Sequence, residues 1–204
     1  MWWVVWEPRS GYETAWATPG HVCSCSYSYG HGPVLPQANP SVFTEAVNLW
    51  SRVASLLTPW CAKGEVPTGV NLNRYAGDGS FIPWHCDNEP LFGSPFEPKV
   101  IVSMSLGHSA LFKLRRRAPE NTPSQIRLDH GDLLVMDGLT QLEYEHSTAS
   151  ELEGPRVNLT YRWISQHIRS CRLAGLIGGA LPSDAQDLAE PHSRGGGSRK
   201  SKCP

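Results

Sequence analysis

A chain of 204 residues in which 18 Lys and Arg face 19 Asp and Glu has a formal charge of −1, which excludes a globally basic nucleic-acid binder and leaves only local patches open. The length suits one domain with a sizeable core, and 17 prolines and 19 glycines call for many turns and short elements. No apolar run is long enough to cross a membrane, and the opening MWWVVWEP is too short and lacks the basic start of a secretory signal.

Residues 1–20 carry early tryptophans without clear periodicity and are left unplaced. The six cysteines, Cys23, Cys25, Cys61, Cys86, Cys171 and Cys203, lack the pair-of-pairs spacing of a zinc site. They read as reduced thiols of an intracellular protein, cytoplasmic or nuclear, with Cys23 and Cys25 on one face of a strand. In PSVFTEAVNLWSRVASLL, residues 40–57, Val42, Phe43, Ala46, Val47, Trp50, Val53, Ala54 and Leu57 recur at helical spacing. Ser41 is a fair N-cap, and Thr58 and Pro59 end the helix.

Beyond residue 65 the texture turns to short β-rich runs: GVNLNRY, SFIPWHCD, KVIVSMSL, ALFKLR, QIRL, DLLVMD and RVNLTYRWI. Gly, Pro, Asn and Asp separate them at intervals that suit a sandwich or barrel. The expected domain spans residues 21–168. Residues 183–204, polar, Gly/Ser-rich and basic at the end, are predicted to be a disordered tail or linker.

His-x-Asp on a strand puts an imidazole and a carboxylate on one face, roughly 7 Å apart at Cα, close enough to share a metal. Two such triplets occur. His85-Cys86-Asp87 follows the apolar SFIPW, whereas His130-Gly131-Asp132 looks like the turn before an apolar strand. His146, in QLEYEHST, is the candidate third ligand of a 2-His-1-carboxylate triad, the arrangement that leaves non-haem Fe(II) open to substrate and O2. His21, His31, His108, His167 and His192 have no such setting and read as surface or structural.

As a strand, PRVNLTYRW alternates between an apolar face of Val157, Leu159, Tyr161 and Trp163 and a polar face of Arg156, Asn158, Thr160 and Arg162. The two arginines stand about 20 Å apart at Cα, with side chains long enough to converge. A buried guanidinium needs an anionic partner, and its fork binds carboxylates bidentately. A small dicarboxylate that chelates the iron, 2-oxoglutarate, meets that need.

Three blocks resemble the AlkB-type Fe(II)/2-oxoglutarate dioxygenases: NRYAGDGSFIPWHCDNEPLFG (73–93), HGDLLVMDGLTQLEYEH (130–146) and RVNLTYR (156–162), the last fitting the family pattern Arg-x-Asn-x-Thr-x-Arg. The similarity runs from about residue 22 to residue 165, and the texture is closest to members acting on single-stranded substrates. The resemblance implies a mainly β fold, a double-stranded β-helix or jelly roll, with an N-terminal flanking helix and a nucleotide-recognition lid. It implies Fe(II) held by His85, Asp87 and His146. Asn73 and Tyr75 would hydrogen-bond 2-oxoglutarate, Arg156 would pair with its distal carboxylate, and Asn158 would support Arg156. Arg162 would sit near the iron-bound end and Glu89.

The implied reaction is oxidative dealkylation. O2 and 2-oxoglutarate are consumed, an N-methyl group is hydroxylated, and formaldehyde leaves. The implied substrate is a 1-methyladenine or 3-methylcytosine type of base in single-stranded DNA or RNA, handled by a monomer or by one piece of a larger polyprotein, without a membrane. Glu89 would face the exocyclic amine of the base, and Asn88 stands where relatives often have a second Asp. Tyr27 and Tyr29, in CSYSYG, match a Tyr-x-Tyr segment near the lid. Lys113, Arg115 and Arg117 of FKLRRR form a basic row suited to phosphate contacts, and Trp84, opposite to His85 on its strand, reads as packing. Two other readings are an oxygenase acting on a protein or small molecule, and a nucleic-acid-binding module without catalysis.

Overall fold

The computed structural model describes residues 4–175 apart from 20–22, 29–31, 62–65, 78, 95, 119–121 and 151–153. In chain order the strands are β1 (Glu7–Arg9), β2 (Tyr12–Ala17), β3 (Tyr27–Ser28), β4 (Pro33–Val34), β5 (Gly69–Tyr75), β6 (Phe81–His85), β7 (Ile101–Gly107), β8 (Ala110–Arg116), β9 (Ser124–Leu128), β10 (Leu133–Met136), β11 (Tyr144–Ser150) and β12 (Arg156–Arg162). Helix α1 (Ser41–Val53) lies between β4 and β5, and the single turn α2 (Thr140–Glu143) precedes β11.

The strands form a six-stranded sheet in the order β1-β2-β5-β12-β7-β10 and a four-stranded sheet in the order β6-β11-β8-β9, with β3 and β4 paired separately. Every pairing between these strands is antiparallel. Ile101 and Met136 of the larger sheet pack against Phe112 and Leu128 of the smaller, so the two sheets close on each other face to face as a jelly roll. The larger sheet's outer face is covered by α1. Val42, Ala46 and Trp50 bury against Val70 and Leu72 of β5, Val102 and Met104 of β7, and Leu159 and Tyr161 of β12. Each of the valine, leucine and methionine side chains contributes about 1.5–3 kcal/mol by leaving water, and the Tyr161 hydroxyl donates to the Ala46 carbonyl at 3.0 Å.

β12 has β5 on one side and β7 on the other, so its ladder is complete and both of its faces are available for burial. Its odd residues meet the helix, which leaves the even, polar row for the space between the sheets. Gly69 is the register partner of Arg162, and the Trp16 ring lies where any Cβ at that position would stand.

Several expectations are corrected. Residues 7–17, unplaced from sequence, supply β1 and β2 of the larger sheet, so the body begins before residue 21. Cys23 and Cys25 lie in a segment without strand structure. The N-cap is Pro40, not Ser41, with the Ser41 N–H satisfied by the Asn39 side chain at 3.1 Å. Tyr29 and the expected tail at 183–204 lie outside the described residues. No helix among the described residues is long and apolar enough to cross a membrane.

Candidate active site

The registers of β12 explain the polar row. Arg156 lies opposite Tyr75, Asn158 opposite Asn73 and Thr160 opposite Asn71 on β5, while on β7 Asn158 pairs with Ser105 and Thr160 with Ser103. Within this patch Asn158 Oδ1 accepts from Ser103 Oγ at 2.8 Å and from Arg156 Nη2 at 3.0 Å, and Asn158 Nδ2 donates to Thr160 Oγ1 at 3.0 Å. Thr14 Oγ1 of β2 lies 3.0 Å from Asn71 Oδ1 and 2.9 Å from Asn73 Oδ1, with one hydroxyl proton for the two acceptors.

Arg156 is 1% exposed, yet its Nε and Nη1 have no hydrogen-bond partner. Its Nη2 donates to Ser105 Oγ at 2.9 Å, and the Tyr75 ring lies 4.9 Å from the guanidinium carbon. Burial pulls this guanidinium below its ordinary value, with no carboxylate beside it to offset the cost. The same burial pushes the Tyr75 hydroxyl up to about 12, so it stays a neutral donor. A buried cation with unmet donors is a receptor for a carboxylate.

The metal-type residues come from the facing sheet. His85 ends β6 and is the register partner of His146 on β11, which brings their ring centroids to 4.1 Å. Asp87 lies just past the strand end, its Oδ1 3.6 Å from His85 Nε2 and its Oδ2 3.9 Å from His146 Nε2. One ligand atom from each of the three lies within 4.8 Å of the others, a spacing that a single ion can span. His85 Nδ1 sits 2.8 Å from the Pro83 carbonyl, which assigns the proton to Nδ1 and the ligating lone pair to Nε2. The Asp87 N–H donates to Gln141 Oε1 at 2.7 Å, and Phe112 stacks on His146 at 5.3 Å. Burial, then the neighbouring His85, lowers His146 to about 3, so its imidazole is neutral and ready to ligate.

Arg162 lies beside this group. One guanidinium nitrogen contacts Asp87 Oδ2 at 2.6 Å and another contacts Glu89 Oε2 at 2.8 Å. Burial works against charge in all three groups. The pairing prevails for Asp87, held at about 2 by Arg162 and the two imidazoles, and for Arg162, held above its usual range. Glu89 goes the other way, raised by burial more than Arg162 lowers it.

Other sequence-predicted contacts fall differently. Glu89 is buried with both carboxylate oxygens engaged, Oε2 by Arg162 and Oε1 by the Tyr27 hydroxyl at 2.8 Å, so it does not face open space as a base reader would. Tyr27 is buried and stacked on Trp16 at 5.3 Å, and it also lines the cavity. Phe112 lines the cavity, and strand alternation therefore turns Lys113 and Arg115 to the outer face of the smaller sheet, with Arg117 just past the strand end. There Arg115 pairs with Glu145 and stacks over Trp84 at 4.1 Å, and Arg117 donates to the Leu142 carbonyl at 3.0 Å. His130 Nδ1 accepts from the Gly107 N–H at 3.0 Å, with His130 in the turn expected for His130-Gly131-Asp132. Sequence reasoning missed Arg9, Tyr12 and Thr14, which line the same cavity from β1 and β2. Alternation of Tyr12, Thr14 and Trp16 on one face of β2 was the available signal.

Two antiparallel sheets enclosing a His-x-Asp…His group next to a buried arginine define a jelly roll built for a metal and an acidic cosubstrate. A sequence profile of the 2OG-Fe(II) oxygenase superfamily matches residues 8–162. The chain belongs to that superfamily and to its AlkB-like members. It is 36% identical over 174 residues to the mouse (Mus musculus) alpha-ketoglutarate-dependent dioxygenase alkB homolog 3, covering 79% of this chain and 58% of the relative. It is 33% identical over 163 residues to the Arabidopsis thaliana DNA oxidative demethylase ALKBH2, covering 68% of this chain and 46% of the relative. This chain thus spans about half the length of these relatives. Among solved structures, OsALKBH1 matches with 19% identity and a TM-score of 0.46, over 79% of this chain and 81% of that one. The superfamily uses Fe(II), 2-oxoglutarate and O2. The residues present suit those groups: an N2O donor set for Fe(II), and unmet Arg156 donors for a carboxylate.

Proposed function

We propose that the chain is an Fe(II)- and 2-oxoglutarate-dependent demethylase of N-alkylated bases, of the 1-methyladenine and 3-methylcytosine type, in single-stranded DNA or RNA. The observation that carries this reading is the buried Arg156 guanidinium with unpartnered Nε and Nη1, lining the same cavity as His85, Asp87 and His146. Iron with 2-oxoglutarate and O2, when bound, supplies oxidation of an N-methyl group to the hydroxymethyl level, from which formaldehyde leaves. His85 Nε2, an Asp87 oxygen and His146 Nε2 hold the ion. Arg156 clamps the distal carboxylate of the keto-diacid, oriented by Asn158 and Ser105, while Asn73 and Tyr75 supply further polar contacts. Arg162 fixes the Asp87 carboxylate and keeps it ionised. The base-demethylation step is supported by the chemistry of the relatives, not by Glu89 or the basic row.

The test is a panel of single-stranded RNA and DNA oligomers carrying methylated adenine or cytosine, incubated with iron, 2-oxoglutarate and O2 and scored by mass. Loss of one methyl group with formaldehyde and succinate is expected. Iron-loaded protein that removes no methyl group from any oligomer overturns the proposal.

The outward position of Lys113 and Arg115 favours a second reading, an oxygenase acting on a protein or small molecule. Stimulation of 2-oxoglutarate turnover by a cell extract stripped of nucleic acid, and not by any oligomer, would select it.

A further inference from the structure

Cys23, Cys25, His167 and Cys171 share no residue with the iron-type group, and the proposed reaction does not use them. They converge from two ends of the described chain. One ligand atom from each lies within 4.8 Å of the other three, and all four residues are buried. His167 Nδ1 is 3.7 Å from Cys23 Sγ, 3.4 Å from Cys25 Sγ and 3.4 Å from Cys171 Sγ.

Hydrogen bonding to the imidazole does not by itself draw three thiols to one ring nitrogen. An imidazole nitrogen offers one proton or one lone pair, so it satisfies one thiol and not three. A shared cation does account for the convergence. With Zn–S near 2.3 Å and Zn–N near 2.0–2.1 Å, the sulfur-to-nitrogen edges of a tetrahedron are about 3.6 Å. The three measured separations bracket that value. A cluster of several irons would hold its ligands further apart. The surroundings fix the ligands as a closed site requires. Trp16 Nε1 donates to the Cys25 carbonyl at 2.8 Å and Thr18 Oγ1 to the Cys23 carbonyl at 2.9 Å, and the Cys171 N–H donates to the Ile168 carbonyl at 2.9 Å. Trp16, Tyr27, Val34, Phe92 and Ile164 bury alongside and keep water out.

We propose that Cys23, Cys25, His167 and Cys171 form a structural zinc site, with all four tetrahedral positions taken by protein. The expectation of scattered thiols without a zinc pattern is replaced by this grouping. The ion clasps the segment entering Tyr27 to the segment leaving Arg162, the two residues that grip Glu89 from either side. Binding displaces protons from the three thiols, and Zn²⁺ with three thiolates and a neutral imidazole leaves one net negative charge.

The chain, purified without chelators and dialysed against metal-free buffer, should retain one zinc per chain by elemental mass spectrometry. Exchange with Co(II) should give a thiolate-to-metal charge-transfer band and the intense visible bands of tetrahedral cobalt. The His85 group contains no sulfur and produces no such charge transfer, so a His85→Ala chain should keep the band. A Cys23→Ser, Cys25→Ser double variant should lose both zinc and band. If that variant does not fold, the wild-type chain still decides: a mercurial thiol reagent should release its zinc stoichiometrically to a chromophoric chelator. Absence of zinc together with absence of the cobalt–thiolate band in the wild-type chain overturns the site, as does full zinc retention in a folded double variant.

Discussion

Arg162 and Asp87 are joined across the cavity by a 2.6 Å contact between a guanidinium nitrogen and Oδ2, with both side chains buried. The same guanidinium reaches Glu89, so one cation holds two carboxylates. Lysine, a point charge without the fork, is expected to hold one of them only. Arg162→Lys should therefore bind iron more weakly, and Arg162→Ala should in addition cost about 3–5 kcal/mol of stability by leaving buried charge unpaired. Iron titration and urea unfolding of both variants check this; an Arg162→Ala chain as stable as wild type would refute it.

The metal-free chain should lose stability in acid through two groups. His146 falls from 6.5 to about 3 on folding, so unfolding takes up a proton below about pH 6.5. Its contribution is whole above that pH and declines as pH drops toward 3, by at most about 1.4 kcal/mol per pH unit for one proton. Asp87, lowered from 3.8 to about 2, adds a further loss between those values. Urea midpoints measured at about pH 7, 5.5 and 4.5 should fall in order, and His146→Gln should flatten the series.

Arg156→Ala should raise the KM for 2-oxoglutarate at least about tenfold, in line with roughly 2–5 kcal/mol for truncating one member of a buried charge pair. Arg156→Lys should recover part of it. Steady-state kinetics with the cosubstrate varied is the measurement. An unchanged KM would place the distal carboxylate elsewhere.

His85→Ala should abolish iron-dependent 2-oxoglutarate consumption while the metal-free chain keeps its secondary structure. His85 is a strand-end residue with modest exposure, and its loss leaves no large cavity. Circular dichroism alongside a succinate assay separates the two effects.

Tyr27→Phe removes the hydroxyl that donates to Glu89 Oε1 but keeps the ring against Trp16. The expected cost is about 1–3 kcal/mol, because a buried carboxylate oxygen loses its donor. Thermal unfolding measures it. A Tyr27 serving a mobile lid would show no such loss.

The legible parts of the molecule were those where alternation or helical spacing met a chemical requirement. Arg156, Asn158, Thr160 and Arg162 declared a polar strand face, and the structure buries all four beside the larger sheet's other polar residues. GVNLNRY coincides with β5, and residues 40–57 with α1 and the 3-10 turn that follows it. β2 was missed because YETAWA mixes polar and apolar residues on the face that looks into the cavity, which hides the usual period. The basic row was legible as a row but not in direction. Which side of β8 faces inward is fixed by its pairing with β11, where Leu114 meets His146. The Cys23 group was hidden for a related reason: its members lie 142 or more residues apart between the two chain segments, and only the fold makes them neighbours.

The double pairing of β12 makes its length as important as its composition. One residue added or removed ahead of the strand, shifting the register of all of 156–162 by one, would turn the guanidiniums toward Trp50 and Ala46 and deliver Leu159 and Tyr161 to the chamber. Evolution of this strand can therefore proceed by exchange of side chains, whereas a single-codon indel would simultaneously erase the anchor and poison the hydrophobic seam.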